Sequence, residues 1–264
     1  MQALAITERG AAADVIEVPD PSAGGGEVRV AVEAASVNGF DLAVAAGHIW
    51  ESMPAEFPVV LGRDFAGRVE SLGAGVDRLA VGDLVTGAIH GAALGPGSIA
   101  EYVVQDAATL ARVPDGVSAE QSAALGLAAC AAFDVVESLA VVADDVVLVS
   151  GATGGVGTYI VQLARARGAR VVATARPGEE ADVVTRLGAT DVVDYTGDVA
   201  AQLRTIAPDG ATKVAHAAGD PVALAALATA GGRFASLRGV TAESLGRDDL
   251  TAIPVVARVT TDKL

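Results

Sequence analysis

The run Gly151-Ala152-Thr153-Gly154-Gly155-Val156-Gly157 is the part of this chain best suited to chemistry. Glycines let a diphosphate approach the backbone closely. The start of a helix offers it unpaired N–H groups at the positive end of a dipole. The flanks supply both conditions. Val146 to Ser150 reads as a buried strand, and Thr158 to Arg167 carries apolar residues at helical spacing (Ile160, Val161, Leu163, Ala164). A second strand follows at Arg170 to Thr174. This succession is that of a mononucleotide-binding βαβ unit, so the turn is expected to hold the pyrophosphate of a dinucleotide. A plain strand–helix turn without a ligand is the bland alternative.

The elements around the turn are those of an α/β domain. Strands are expected at Asp191 to Asp194, Lys213 to Ala217, Arg233 to Leu237 and Val255 to Val259. Helices are expected between them near Glu179 to Leu187, Asp198 to Ile206 and Pro221 to Thr229. Such alternation gives a parallel sheet covered on both faces. The chain before Val113 reads differently. Short strands and turns dominate it, as in Val28, Val30 and Val32 alternating with Arg29 and Ala31. They suggest a barrel or sandwich, interrupted by one helix from about Gly39 to Ala46. Ser118 and Gln121 fit a capping box, and a long apolar helix is expected from there through Leu139. The expected domains are residues 1–117 and 118–264.

The chain has 264 residues, of which 52% are hydrophobic, enough for two substantial cores. A formal net charge of -15 argues against nucleic-acid or anionic-membrane partners. The single cysteine, Cys130, excludes an intramolecular disulfide and a cysteine-rich zinc site, and reads as a small buried hydrophobe. No signal-peptide pattern or membrane-length apolar run is seen, so a soluble cytoplasmic protein is expected.

Several segments together resemble the medium-chain dehydrogenase/reductase superfamily, in its zinc-independent quinone oxidoreductase and enoyl reductase branch. They are Ser36-Val37-Asn38-Gly39-Phe40-Asp41, Leu61-Gly62-Arg63-Asp64-Phe65-Ala66-Gly67, Val81-Gly82-Asp83, Ala100-Glu101-Tyr102-Val103, the glycine turn, and Leu187-Gly188-Ala189 with Val193-Asp194-Tyr195. The resemblance implies a GroES-like β-barrel domain for substrate and catalysis, then a doubly wound Rossmann domain, with a nicotinamide in the cleft between them. It also implies a further C-terminal segment returning to the barrel. This chain stops at Leu264, near where that return begins. The resembling enzymes are usually dimers that pair the edge strand of the Rossmann sheet, here about Val255 to Val259, which leaves a homodimer open.

Counting on from the glycine turn places Arg176 where the fingerprint carries an acidic residue for the ribose 2′-hydroxyl of NAD. A guanidinium there suits a 2′-phosphate, so NADPH is the expected cofactor. By resemblance Tyr195 approaches the same phosphate, and Thr174 ends the strand beneath it. Each has a bland reading, a solvated arginine and a packed tyrosine. By resemblance Asn38, Ala218-Gly219 and Ser236-Leu237 line the nicotinamide end. A threonine that the family often carries there is replaced by Ala131.

Zinc-dependent relatives place metal ligands where this chain has Asn38, Arg63 and Leu127, an amide, a guanidinium and an alkyl group. These cannot form a zinc site, and His48, His90 and His216 offer no pair at ligand spacing, so no metal is expected. Hydride delivered to a quinone or an enone leaves an enolate-like oxygen that a donor or cation would stabilise. Asn38 is a candidate donor or a turn-stabilising amide. Asp41 orients a donor or caps a helix. Arg63 supplies positive charge or pairs with Asp64 or Asp41. His48, in Gly47-His48-Ile49-Trp50, donates a proton or is a solvated loop histidine. The leading expectation is an NADPH-dependent reductase of a quinone or activated C=C bond. The other is an NADPH-binding sensor or accessory protein with little turnover.

Overall fold

The computed structural model describes residues 1–89, 91 and 93–264; His90 and Ala92 lie outside the described residues. The chain divides into two compact units, Met1–Cys130 with Val259–Leu264, and Ala131–Arg258.

The first unit holds β1 (Gln2–Ile6), β2 (Asp14–Glu17), β3 (Glu27–Ala35), α1 (Gly39–Ala45), β4 (Val59–Val60), β5 (Asp64–Leu72), β6 (Leu84–Ala88), β7 (Tyr102–Asp106), β8 (Ala111–Arg112) and α2 (Ala119–Ala123). A five-stranded sheet runs β7-β3-β5-β6-β8, and a three-stranded sheet runs β2-β1-β4. All these pairs are antiparallel. The period of two in β3 buries Val28 and Val30 against Phe65, Val85 and Leu110. Helix α2 packs on β3, β5 and β6.

The single long helix expected from Ser118 to Leu139 is two helices, α2 and α3 (Gly126–Leu139). The capping box of Ser118 and Gln121 starts α2 as expected. Apolar periodicity carried no sign of the break, which is made by a buried carboxylate. Asp64 Oδ1 accepts the backbone N–H of Leu127 at 2.8 Å. A Cβ on Gly126 would lie 2.7 Å from that same oxygen, so the helix restarts on a glycine.

The second unit follows with β9 (Val146–Ser150), α4 (Gly155–Ala166), β10 (Arg170–Thr174), α5 (Glu179–Arg186), β11 (Asp191–Val193), α6 (Val199–Ile206), β12 (Ala211–His216), α7 (Pro221–Ala225), β13 (Ala228–Ser236), α8 (Ala242–Leu245) and β14 (Thr251–Pro254). The six-stranded sheet has the order β11-β10-β9-β12-β13-β14, and its pairs are all parallel. Val147, Leu148 and Val149 are consecutive and all fully buried, as a strand covered on both faces requires. Helix α4 lays Ile160, Val161 and Ala164 on this sheet, and full burial of a side chain such as Ile160 contributes about 1.5–3 kcal/mol.

Two expected elements shift. The last strand is Thr251–Pro254 and not Val255 to Val259: Arg233 to Ser236 pair with Thr251 to Pro254, and the valines that suggested a strand lie past it. A proline without an N–H is tolerated there because the strand is an edge. The helix expected to Thr229 ends at Ala225, because β13 begins at Ala228 and carries Gly231-Gly232 through a register shift instead of starting after them. Among the described residues no helix is long and apolar enough to cross a membrane.

Candidate nucleotide and active site

Strand order reverses between β9 and β12, and a ligand crevice is expected outside the carboxyl ends of strands at such a point. A cavity of about 610 Å³ lies there. Ser150 and Gly151 follow from β9, Thr174 from β10, Tyr195 from beyond β11, and Leu237 from beyond β13. Thr153, Gly154, Gly155, Val156 and Gly157 form the wall that leads into α4.

The start of α4 has its N-cap at Gly154, and no side chain caps it. Helices α6 and α7 of the same unit are capped by the carboxylates of Asp198 and Asp220. The amides of the α4 head are thus left for an acceptor entering the cavity. A Cβ on Gly157 would lie 2.0 Å from the carbonyl oxygen of Gly151, so only glycine lets the helix sit this close to the strand end. Ala152 is buried in the core under the turn and does not line the cavity.

Gly219 follows β12 with a φ of 90°, and two side chains fix the turn it belongs to. Ser150 Oγ donates to the Ala218 carbonyl at 2.6 Å. His216 Nε2 lies 3.2 Å from the Gly219 carbonyl, and its Nδ1 lies 2.9 Å from Ser236 Oγ. The Gly219 carbonyl can only accept, so Nε2 carries the ring proton; in the neutral ring Nδ1 then accepts the Ser236 hydroxyl, whose oxygen also takes the N–H of Arg238 at 3.0 Å. Burial lowers the His216 pKa, with Arg238 acting in the same direction against the Gly219 bond. Ser236 is therefore a buried wall support, while Ala218, Gly219 and Leu237 reach the cavity.

Arg176 stands just past β10, and its bonds go to Glu180. Arg176 N donates to Glu180 Oε2 at 2.9 Å, and Nε and Nη2 reach Oε1 at 2.8 and 2.5 Å. The Tyr195 hydroxyl lies 3.4 Å from the same Oε1. The structure brings Arg176 and Tyr195 together on one carboxylate.

In the first unit Asn38, Asp41 and Arg63 gather with Ser36 and Asp64. Asp64 is fully buried, and its Oδ2 accepts Ser36 Oγ at 2.7 Å and Asn38 Nδ2 at 2.8 Å. Asn38 Nδ2 also donates to Ser36 Oγ at 3.2 Å. Burial raises the Asp64 pKa, opposed by the bonds from Ser36, Asn38 and Leu127 and helped by the charge of Asp41. Asp41 starts α1: its carboxylate accepts the N–H of Asn38 at 2.7 Å and that of Gly62 at 3.0 Å. The ion pair expected for Arg63 is replaced by another arrangement. Its Nη1 donates to the Ile89 carbonyl at 3.2 Å and its guanidinium lies 4.4 Å from the Phe40 ring centroid. Burial lowers its pKa while Asp41 and Asp64 raise it. His48 is apart from this group, exposed beyond the other end of α1. Ala131 is buried in α3. Among the described residues no group of three or more His, Cys, Asp or Glu could hold a metal ion.

Sequence reasoning missed Asp64, Glu180, Ser150 and the role of His216. Asp64 enters the sequence reading only as a possible partner of Arg63, and the four-residue spacing of Glu180 from Arg176 is the signal that could have found it. His216 read only as a strand-end contact, which it is, but its partner across the sheet could not be seen without the β12–β13 register.

Residues 24–115 match the alcohol dehydrogenase GroES-like domain family and residues 155–245 the zinc-binding dehydrogenase family. A spinach chloroplast quinone-oxidoreductase homolog is 36% identical over 187 residues, 68% of this chain and 55% of that protein. An alcohol dehydrogenase superfamily protein of Novosphingobium aromaticivorans has a similar structure, with a TM-score of 0.86 at 30% identity over 97% of this chain and 79% of that one. A mycobacterial protein whose structure was determined with NADPH gives a TM-score of 0.85 at 28% identity over 100% of this chain and 85% of that one. The chain spans 55 to 63% of the length of the chloroplast homologues it matches. It belongs to the medium-chain dehydrogenase/reductase superfamily, in the quinone oxidoreductase and enoyl reductase branch.

Proposed function

We propose that this protein is an NADPH-dependent, zinc-independent reductase that transfers hydride to a quinone or to an activated C=C bond. The observation that carries the reading is the uncapped α4 helix opening into a cavity at the strand-order reversal. Its volume falls in the range of small-molecule sites, and the glycine contacts leave bare backbone where a diphosphate would lie. The residues present fit a dinucleotide: the α4 head for the pyrophosphate, Arg176 and Tyr195 for a 2′-phosphate, and the Ala218-Gly219 turn with Leu237 for the far end. The NADPH-bound mycobacterial relative supports the choice of cofactor. Zinc independence is supported by the side chains of Asn38, Arg63 and Leu127, none of which is a zinc donor.

When bound, the reduced nicotinamide supplies the hydride. This chain's residues bind, orient and stabilise charge. Residues 1–117 are proposed as the acceptor side and residues 118–264 as the cofactor side. Asn38 and Arg63 are the proposed partners of a developing enolate oxygen; Asp41 and Asp64 hold Asn38, and the Ile89 carbonyl and Phe40 ring hold Arg63. Asn38 makes that contact only by exchanging a bond now given to Ser36 or Asp64. His48 is the proposed proton source from the exposed loop.

The engagement of the Asn38 amide also favours the second reading, a nucleotide-binding protein with little turnover. Oxidation of NADPH against a panel of quinones and enones separates the two. Turnover with at least one acceptor supports the reductase. Saturable NADPH binding without oxidation of any member supports the second reading.

A further inference from the structure

The carboxylate of Glu180 occupies the donors assigned above to a 2′-phosphate. It takes the backbone N–H, Nε and Nη2 of Arg176 and faces the hydroxyl of Tyr195. A phosphate recruits donors in the same way, through a guanidinium fork, an amide and a hydroxyl. We propose that Glu180 is a specificity-determining residue of the cofactor site, acting as an internal competitor that weakens the preference for NADPH over NADH. This rests on the nucleotide-site reading.

The argument is electrostatic and geometric. A 2′-phosphate that took Arg176 and Tyr195 would either displace Glu180 or stand beside it as a like charge. Displacement is feasible because the pair is on the surface: the Arg176 side chain is 60% exposed and that of Glu180 24%. A ribose 2′-hydroxyl meets no such conflict, because it can donate to a carboxylate left in place. Glu180 sits in the first turn of α5, after the N-cap Gly178, where the helix dipole and Arg176 both hold it ionised. Its pKa is lowered, first by the Arg176 side-chain bond. The selectivity that Arg176 offers by its charge is thus partly cancelled four residues further on.

The experiment uses the full chain and the fragments 2′,5′-ADP and 5′-AMP, which differ at the 2′-position. Affinities are measured by calorimetry for the wild type, Glu180→Gln, Arg176→Gln and the double variant. Glu180→Gln is expected to bind 2′,5′-ADP about tenfold more tightly, with 5′-AMP affinity within about twofold of wild type. Arg176→Gln is expected to remove that gain, so the double variant binds 2′,5′-ADP no better than Arg176→Gln alone. An unchanged 2′,5′-ADP affinity in Glu180→Gln, or an equal gain for both fragments, overturns the inference while leaving the nucleotide site standing. If the folded wild type binds neither fragment, the nucleotide site and this inference both fall. Thermal melting of each variant establishes folding.

Discussion

His216 Nε2 donates to the carbonyl oxygen of Gly219 across 3.2 Å, and the turn closed by this bond forms one wall of the proposed nucleotide cavity. The imidazole is buried, neutral, and held on its other side by the Ser236 hydroxyl, which also accepts the Arg238 N–H. A second ring proton would turn Nδ1 into a donor and strand the Ser236 hydroxyl proton without an acceptor.

The pH dependence follows from that geometry. The His216 pKa in the fold lies below its ordinary value of 6.5. The unfolded chain therefore takes up the proton first as pH falls. Stability from the neutral ring is complete above about pH 6.5 and is lost as pH drops from there toward the folded pKa, by at most about 1.4 kcal/mol per pH unit. Chemical denaturation between pH 5 and 7.5 should show this decline, and His216→Ala should flatten it. A variant with the wild-type slope would assign the decline to other groups.

Gly157 and Gly154 should separate packing from ligand approach. An added Cβ meets backbone at 2.0 Å for Gly157 but at 3.3 Å for Gly154. Gly157→Ala is expected to lose about 1–3 kcal/mol of stability as an overpacked site. Gly154→Ala should melt close to wild type while its NADPH affinity falls about tenfold, because the added methyl stands at the head of α4. Calorimetric melting and NADPH titration on the same samples read both effects. Equal stability of the two variants would contradict the assignment.

Asp64 should be the most sensitive polar residue of the first unit. Asp64→Ala leaves Ser36, Asn38 and the Leu127 amide without their acceptor in a buried place, and is expected to cost about 3 kcal/mol or more. Asp64→Asn keeps one acceptor and turns an NH₂ group toward donors, so it should recover only part of that loss. Urea unfolding of the two variants tests the order; an equal or reversed loss would mean that the carboxylate's burial cost outweighs its bonds.

Arg176→Ala should weaken NADPH binding about tenfold and leave NADH within about twofold, with melting unchanged because the side chain is exposed. A matching loss for both nucleotides would place Arg176 away from the 2′-position.

The second unit was legible because its signals are local. Strand, glycine turn and helix at 146–167 are read within one stretch, and the cavity residues that follow sit at strand ends. What escaped depended on distant partners. The break before Gly126 is set by Asp64, more than sixty positions earlier. The edge strand was displaced because Val255 and Val256 carry the β-branched signal while Pro254 does not, although Pro254 is the residue that pairs with Ser236. Arg63 was expected to pair with the acids beside it in sequence, but its guanidinium reaches Ile89 and lies over Phe40 instead. The charge of Arg176 is legible from its residue type, whereas its engagement by Glu180, four residues on, depends on how the chain turns into α5.

Equilibrium titration of the folded protein with NADPH tests the central claim most directly. Saturable binding with a Kd below about 1 mM, weakened by Gly154→Ala and by Arg176→Ala, is the predicted result. Cooperatively melting protein that takes up neither NADPH nor NADH at millimolar concentrations would contradict it.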